Sequence, residues 1–205
     1  MKVRNIMLMA RAVSLFSSPF YLSVVGLVLL FTFSYLKEMP LFFKVFVVAM
    51  TYMLTVLLPK TLIGIYHRYH GWSLFELSQR ERRVIPYLVS IICYFLCYYA
   101  MNFYHVPHMM GSIVVAALVV QITCAIVNMW WKISVHMAAI GAMTGSLMAF
   151  SSKFMFNPVW WLCALFLLSG LVGSARLTLR QHTLRQLNVG YIVGLMAGFL
   201  TIMFF

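Results

Sequence analysis

The chain has 205 residues, 64% of them apolar and 9% charged, and a mean hydropathy of +0.97. A water-soluble fold cannot hide that much apolar surface, so the soluble globular class is excluded. Lys and Arg number 15 against 3 acidic residues, a formal charge of +12; with only Glu38, Glu76 and Glu81 and no Asp, magnesium sites built from several carboxylates and carboxylate proton relays are excluded too.

The N-terminus, with Lys2, Arg4 and Arg11 ahead of an apolar run, has no small-residue cleavage site and reads as a first helix or anchor rather than a signal peptide. Seven apolar stretches follow, at 15–36, 41–58, 84–104, 111–131, 134–150, 158–172 and 187–205. Most reach or approach the roughly 20 residues that cross a bilayer as helix. Being continuously apolar, they are not barrel strands, which alternate between a lipid face and a polar lumen. The expected fold class is all-α, a polytopic transmembrane bundle of six to seven helices forming one integral membrane domain over 1–205. Cys93, Cys97, Cys124 and Cys163 lie inside these stretches and read as packed apolar residues, not as a metal or redox set.

If all seven stretches cross, the N-terminus and the connections after the second, fourth and sixth share one face. On it fall Lys2, Arg4, Arg11, Lys60, Arg68, Arg80, Arg82, Arg83, Lys132, Arg176, Arg180 and Arg185, leaving Lys37, Lys44 and Lys153 for the other. The positive-inside rule makes the richer face cytoplasmic, as in a bacterial inner membrane. With these charges beside helices in lipid, the expected anion is a lipid phosphate and not nucleic acid. His67, His70, His136 and His182 share the basic face. His105 and His108, opposite, flank Pro107 with no acidic or Cys partner nearby, an incomplete metal site.

Two stretches on the basic face carry residues suited to chemistry. In the first, Ser134 suits a helix N-cap, where free N–H groups favour an anion, and Lys132 and His136, four apart, face one way if the turn is helical. In the second, Arg176 and His182 would stand about 240° apart on a straight helix, so both serve one ligand only across a bend. His182 and Gln186, again four apart, let an amide orient an imidazole. Between them lies a phosphoryl-transfer site without a metal or other cofactor: Arg176 and Lys132 hold phosphate oxygens, one imidazole attacks phosphorus, and the other protonates the departing alcohol.

These residues resemble the type 2 phosphatidic acid phosphatase (PAP2) family, whose signature is Lys-x6-Arg-Pro, then Pro-Ser-Gly-His, then Ser-Arg-x5-His-x3-Asp. Ala175-Arg176, five residues, His182, three residues and Gln186 keep the spacing of the last element, and Ile133-Ser134-Val135-His136 is similar to the middle one. The likeness spans roughly 80–205 and implies a PAP2-like core there. It implies that His182 is a nucleophile forming a phosphohistidine, His136 the general acid, and Arg176 and Ser134 phosphate ligands. Gln186 stands where the family has the orienting Asp, and Ala175 where it has Ser. No Lys-x6-Arg-Pro is present; Arg80 or Arg83, before Pro86, would take its phosphate-binding role. A diverged branch carries Lys-x-Ser-x-His and His-Thr-x-x-Gln in these places, as this chain does at Lys132-Ile133-Ser134-Val135-His136 and His182-Thr183-Leu184-Arg185-Gln186.

The expected function is a membrane-embedded, metal-independent phosphatase acting on a lipid phosphate or diphosphate. The alternative is a catalytically degenerate relative that binds or flips an anionic lipid. Phosphatidate, phosphatidylglycerol phosphate, a polyprenyl diphosphate and a lipid A phosphate all remain open as substrates.

Overall fold

The computed structural model describes residues 2–33, 38–70 and 84–205. Among them are helices and short connections, with no strand. Arg80 and Arg83, the expected replacements for the first motif, lie outside the described residues.

The first apolar stretch is not one helix. α1 (Lys2–Phe16) and α2 (Pro19–Phe33) are separate helices, and the chain bends by 74° between Met7–Tyr21 and Ser23–Thr32. Pro19 has no N–H to continue α1, and it suits the first turn of α2, where that N–H would have no intrahelical partner. The second stretch runs on without a break. α3 (Leu41–Tyr52), a π-helical turn (Met53–Leu57) and α4 (Leu58–His70) form one rod, of which Leu41–Tyr66 is apolar enough to span. The widened turn precedes Pro59, which cannot donate to a carbonyl four residues back, and the Leu58 N–H reaches instead to the Met53 carbonyl.

α5 (Val84–Phe103), α6 (His108–Trp130), α7 (Val135–Phe154), α8 (Val159–Thr178) and α9 (Leu184–Phe204) follow with tight connections. Among the described residues, five helices are long and apolar enough to cross a membrane, six if the bent pair Met7–Tyr21 and Ser23–Thr32 counts as one span. The stretch at 134–150 is a 20-residue helix, α7, but it is not among the five. Gly141, Thr144, Gly145 and Ser146 dilute its hydropathy, and its buried residues run from Met137 to Phe150 because it is walled by other helices. α7 is apolar enough for a protein interior without matching a lipid-facing helix.

α7 packs most extensively on α9, and the two run parallel, with α8 returning between them. A Cβ built on Gly190, Gly194 or Gly198 of α9 would strike the carbonyl oxygens of Ser134, Ala138 and Ala142 in turn. One on Gly141 or Gly145 of α7 would strike the carbonyls of Tyr191 and Leu195. Backbone therefore touches backbone along both helices. Between helices in lipid, where apolar burial gives no net drive, such close approach through small residues is a main source of attraction. A second apolar core joins α2, α3, α5 and α6 around Leu27, Val47, Tyr94 and Met110.

Candidate active site

The parallel pair sets the site. The starts of α7 and α9 and the end of α8 stand at one end of the bundle, joined by the starts of α2 and α5. Pro19, Tyr87, Ser90, His136, Arg176 and His182 line one cavity of about 240 Å³ there. Residues separated by up to 163 positions thus share one polar pocket.

The bend that the spacing demands between Arg176 and His182 is present. α8 ends at Thr178; the Gln181 N–H then bonds the Arg176 carbonyl at 3.2 Å and the Arg180 N–H bonds that of Leu177 at 2.9 Å. This is a Schellman stop with Arg180 in the left-handed position, at a φ of 51°, where Gly is usual. The reversal carries His182 back over the end of α8, so that it and Arg176 are both buried, at 7% and 8% exposure. Arg176 lies in the last turn of α8, where exposed carbonyls favour a cation, and its Nη1 donates to Ser14 Oγ of α1 at 2.8 Å.

Gln186 settles the state of His182. The Thr183 backbone N–H can only donate, and it meets Gln186 Oε1 at 3.1 Å, so the amide atom at that point is the oxygen. His182 Nδ1 lies 3.2 Å from the same oxygen and must therefore be the protonated nitrogen. In the neutral ring the lone pair then sits on Nε2. The Gln186 N–H closes a capping box with Thr183 Oγ1 at 3.5 Å, so one side chain both starts α9 and fixes a tautomer.

The Lys132-Ile133-Ser134-Val135-His136 stretch is placed differently from expectation. Trp131 and Ser134 have extended backbone, at φ −147° and −91°, so 132–134 is no helical turn and Lys132 is out of register with His136. Ser134 does occupy the N-cap of α7, but its side chain makes no capping bond. Its hydroxyl is fully buried and without a hydrogen-bond partner among the described residues. Neither Lys132 nor Ser134 lines the cavity, whereas His136, the second residue of α7, does. The reason is the glycine ladder, which presses the Ser134 carbonyl against Gly190 and directs the start of α7 toward α9.

Sequence reasoning passed over Tyr87, Ser90 and Gln121, all buried and all lining the cavity. Gln121 alone carries a signal, an amide near the middle of a largely apolar helix. Tyr87 looks like any of the chain's 11 tyrosines. Among the described residues no group of three or more His, Cys, Asp or Glu side chains comes together as a metal site would require. No family model, curated protein or solved structure matches the chain.

Proposed function

We propose that the protein is a membrane-embedded phosphatase that hydrolyses a lipid phosphate or diphosphate through a phosphohistidine on His182, in the manner of the PAP2 family. The observation that carries this reading is the convergence of His136, Arg176 and His182, from α7, α8 and the turn before α9, on one cavity. The Nε2 lone pair of His182 attacks phosphorus, and the bond from phosphorus to the lipid oxygen breaks. The imidazolium of His136 gives its proton to that departing oxygen. His136, now neutral, takes a proton from water, whose oxygen attacks phosphorus and releases phosphate from Nε2. Arg176 draws off the charge on the phosphate oxygens, and Gln186 keeps Nδ1 protonated so that Nε2 remains the nucleophile. The basic asymmetry of the sequence supports a site on the cytoplasmic face.

The test is phosphate release from a panel of lipid phosphates in nanodiscs containing EDTA. Wild type turns over under EDTA; His182→Ala abolishes turnover while lipid phosphates still bind, and His136→Ala slows it about 10²- to 10⁴-fold. Turnover unaffected by His182→Ala sinks the assignment. The neutral Gln186 favours a second reading, a protein that binds or flips an anionic lipid without hydrolysis, because an amide cannot stabilise an imidazolium as a carboxylate does. On that reading the loss of Arg176 weakens lipid binding and the loss of His182 changes nothing.

A further inference from the structure

A second cavity, almost wholly apolar, adjoins the polar one, and three residues line both: Pro19 at the start of α2, Gln121 on α6 and Val135 at the start of α7. These three mark the seam between a polar pocket and apolar walls. Pro19 and Val135 have no side-chain group that hydrogen-bonds, so Gln121 alone among them can donate or accept there.

Gln121 is buried, at 5% exposure, and its amide makes no hydrogen bond to any described residue. Polar side chains around the seam are engaged within the protein. Ser90 Oγ donates to the Pro86 carbonyl at 2.7 Å, Ser23 Oγ to Tyr94 Oη at 3.2 Å, and that phenol in turn to the Pro19 carbonyl at 3.4 Å. An amide left over among apolar walls in a membrane bundle is costly, and such groups mark paths where a ligand atom meets them.

The chemistry of a lipid phosphate says which atom that is. Its phosphate oxygens belong with Arg176 and its hydrocarbon among the apolar walls, so the atom at the seam is the ester oxygen that joins the two. In the ground state this oxygen is a weak acceptor. As its bond to phosphorus breaks it takes the electron pair, and an amide N–H there binds it more strongly in the transition state than before.

We infer that Gln121 is a further catalytic residue, whose side-chain N–H holds the departing lipid oxygen while His136 gives that oxygen its proton. The inference rests on the polar pocket being the phosphate site. The phosphorus–oxygen bond breaks toward oxygen, the proton comes from the His136 imidazolium, and the neutral alcohol retreats into the apolar cavity with Gln121 unchanged.

The experiment compares two long-chain monoesters in nanodiscs containing EDTA. Dodecyl phosphate loses an alkoxide, whereas a dodecyl-substituted nitrophenyl phosphate loses a stable phenolate. The readout is kcat/KM, which ends with release of the alcohol or phenol and does not report the later hydrolysis of the phosphohistidine. Gln121→Leu lowers kcat/KM for dodecyl phosphate about a hundredfold and for the nitrophenyl ester less than about threefold, because a phenolate needs little help. The retained aryl turnover also shows that the variant folds; should Gln121→Leu not fold, Gln121→Met, unbranched and of similar length, gives the same split. Equal losses on the two esters, or no loss on either, overturn the inference. The phosphatase reading fails separately. If wild type hydrolyses neither these esters nor any lipid phosphate, or if His182→Ala leaves both rates unchanged, that reading is wrong and the inference falls with it.

Discussion

One oxygen of Gln186 accepts from both the Thr183 N–H and His182 Nδ1, so its removal should act twice. Gln186→Ala is expected to lower kcat about a hundredfold, by freeing the imidazole to take the wrong tautomer, and to cost about 1 kcal/mol through the lost cap. Gln186→Glu keeps both acceptors, places a negative charge in the first turn of α9 and stabilises the imidazolium, so it should raise kcat with no loss of thermal stability. A fall in kcat for Gln186→Glu, with the fold intact, would show that the carboxylate logic does not apply. At this scale the sequence was legible wherever spacing governs: His182 and Gln186 at four residues, Arg176 and His182 across a required bend. It was illegible where backbone conformation governs. Arg180 carries no Gly to announce the left-handed turn, and nothing in Lys132-Ile133-Ser134 says that the segment is extended.

Helices were legible as apolar runs, but their ends were not. Cutting at polar residues ended the sixth stretch at 172 and began the seventh at 187, whereas α8 continues to Thr178 and α9 begins at Leu184. The six residues thus trimmed from α8 include Arg176, a charged residue that the bundle buries with its Nη1 on Ser14. The glycine ladder was present as Gly190-x3-Gly194-x3-Gly198 on α9 and Gly141-x3-Gly145 on α7, a spacing that brings helix backbones together, but nothing in either stretch names the other as its partner. Gly194→Ala is expected to cost about 1–3 kcal/mol, because the added methyl meets the Ala138 carbonyl and neither backbone has room to yield. Gly64→Ala and Gly170→Ala, which meet open space, should be neutral or slightly stabilising. Thermal unfolding in detergent separates the two groups; equal behaviour would mean that the α7–α9 contact contributes nothing to stability.

For the molecule as a whole, the polar pocket opens at the end where α2, α5, α7 and α9 begin, and Ser152, near the end of α7, marks the opposite end. In a Cys163→Ala background, which removes the exposed native thiol, Ser152→Cys should react with a membrane-impermeant thiol reagent on intact cells, and Ser78→Cys only after permeabilisation. The reverse pattern would place the pocket outside. Hydropathy made the bundle legible from the chain alone, whereas the apolar cavity of about 580 Å³ between α1, α2, α5, α6, α7 and α8 was not, since its walls come from six helices and no single stretch reveals a gap between them.

The parallel contact of α7 with α9 has a mechanical consequence. His136 rides on the first turn of α7, and His182 is anchored through Gln186 to the first turn of α9, so the interaxial distance of this pair works as a caliper on the two imidazoles. Side-chain packing would leave such a gauge some play, because rotamers yield. Here carbonyl oxygens rest against glycine α-carbons, and the gauge has no soft part. The separation of the two helix starts that carry His136 and Gln186 is thus held by main chain, out of reach of most single substitutions except the loss of a glycine.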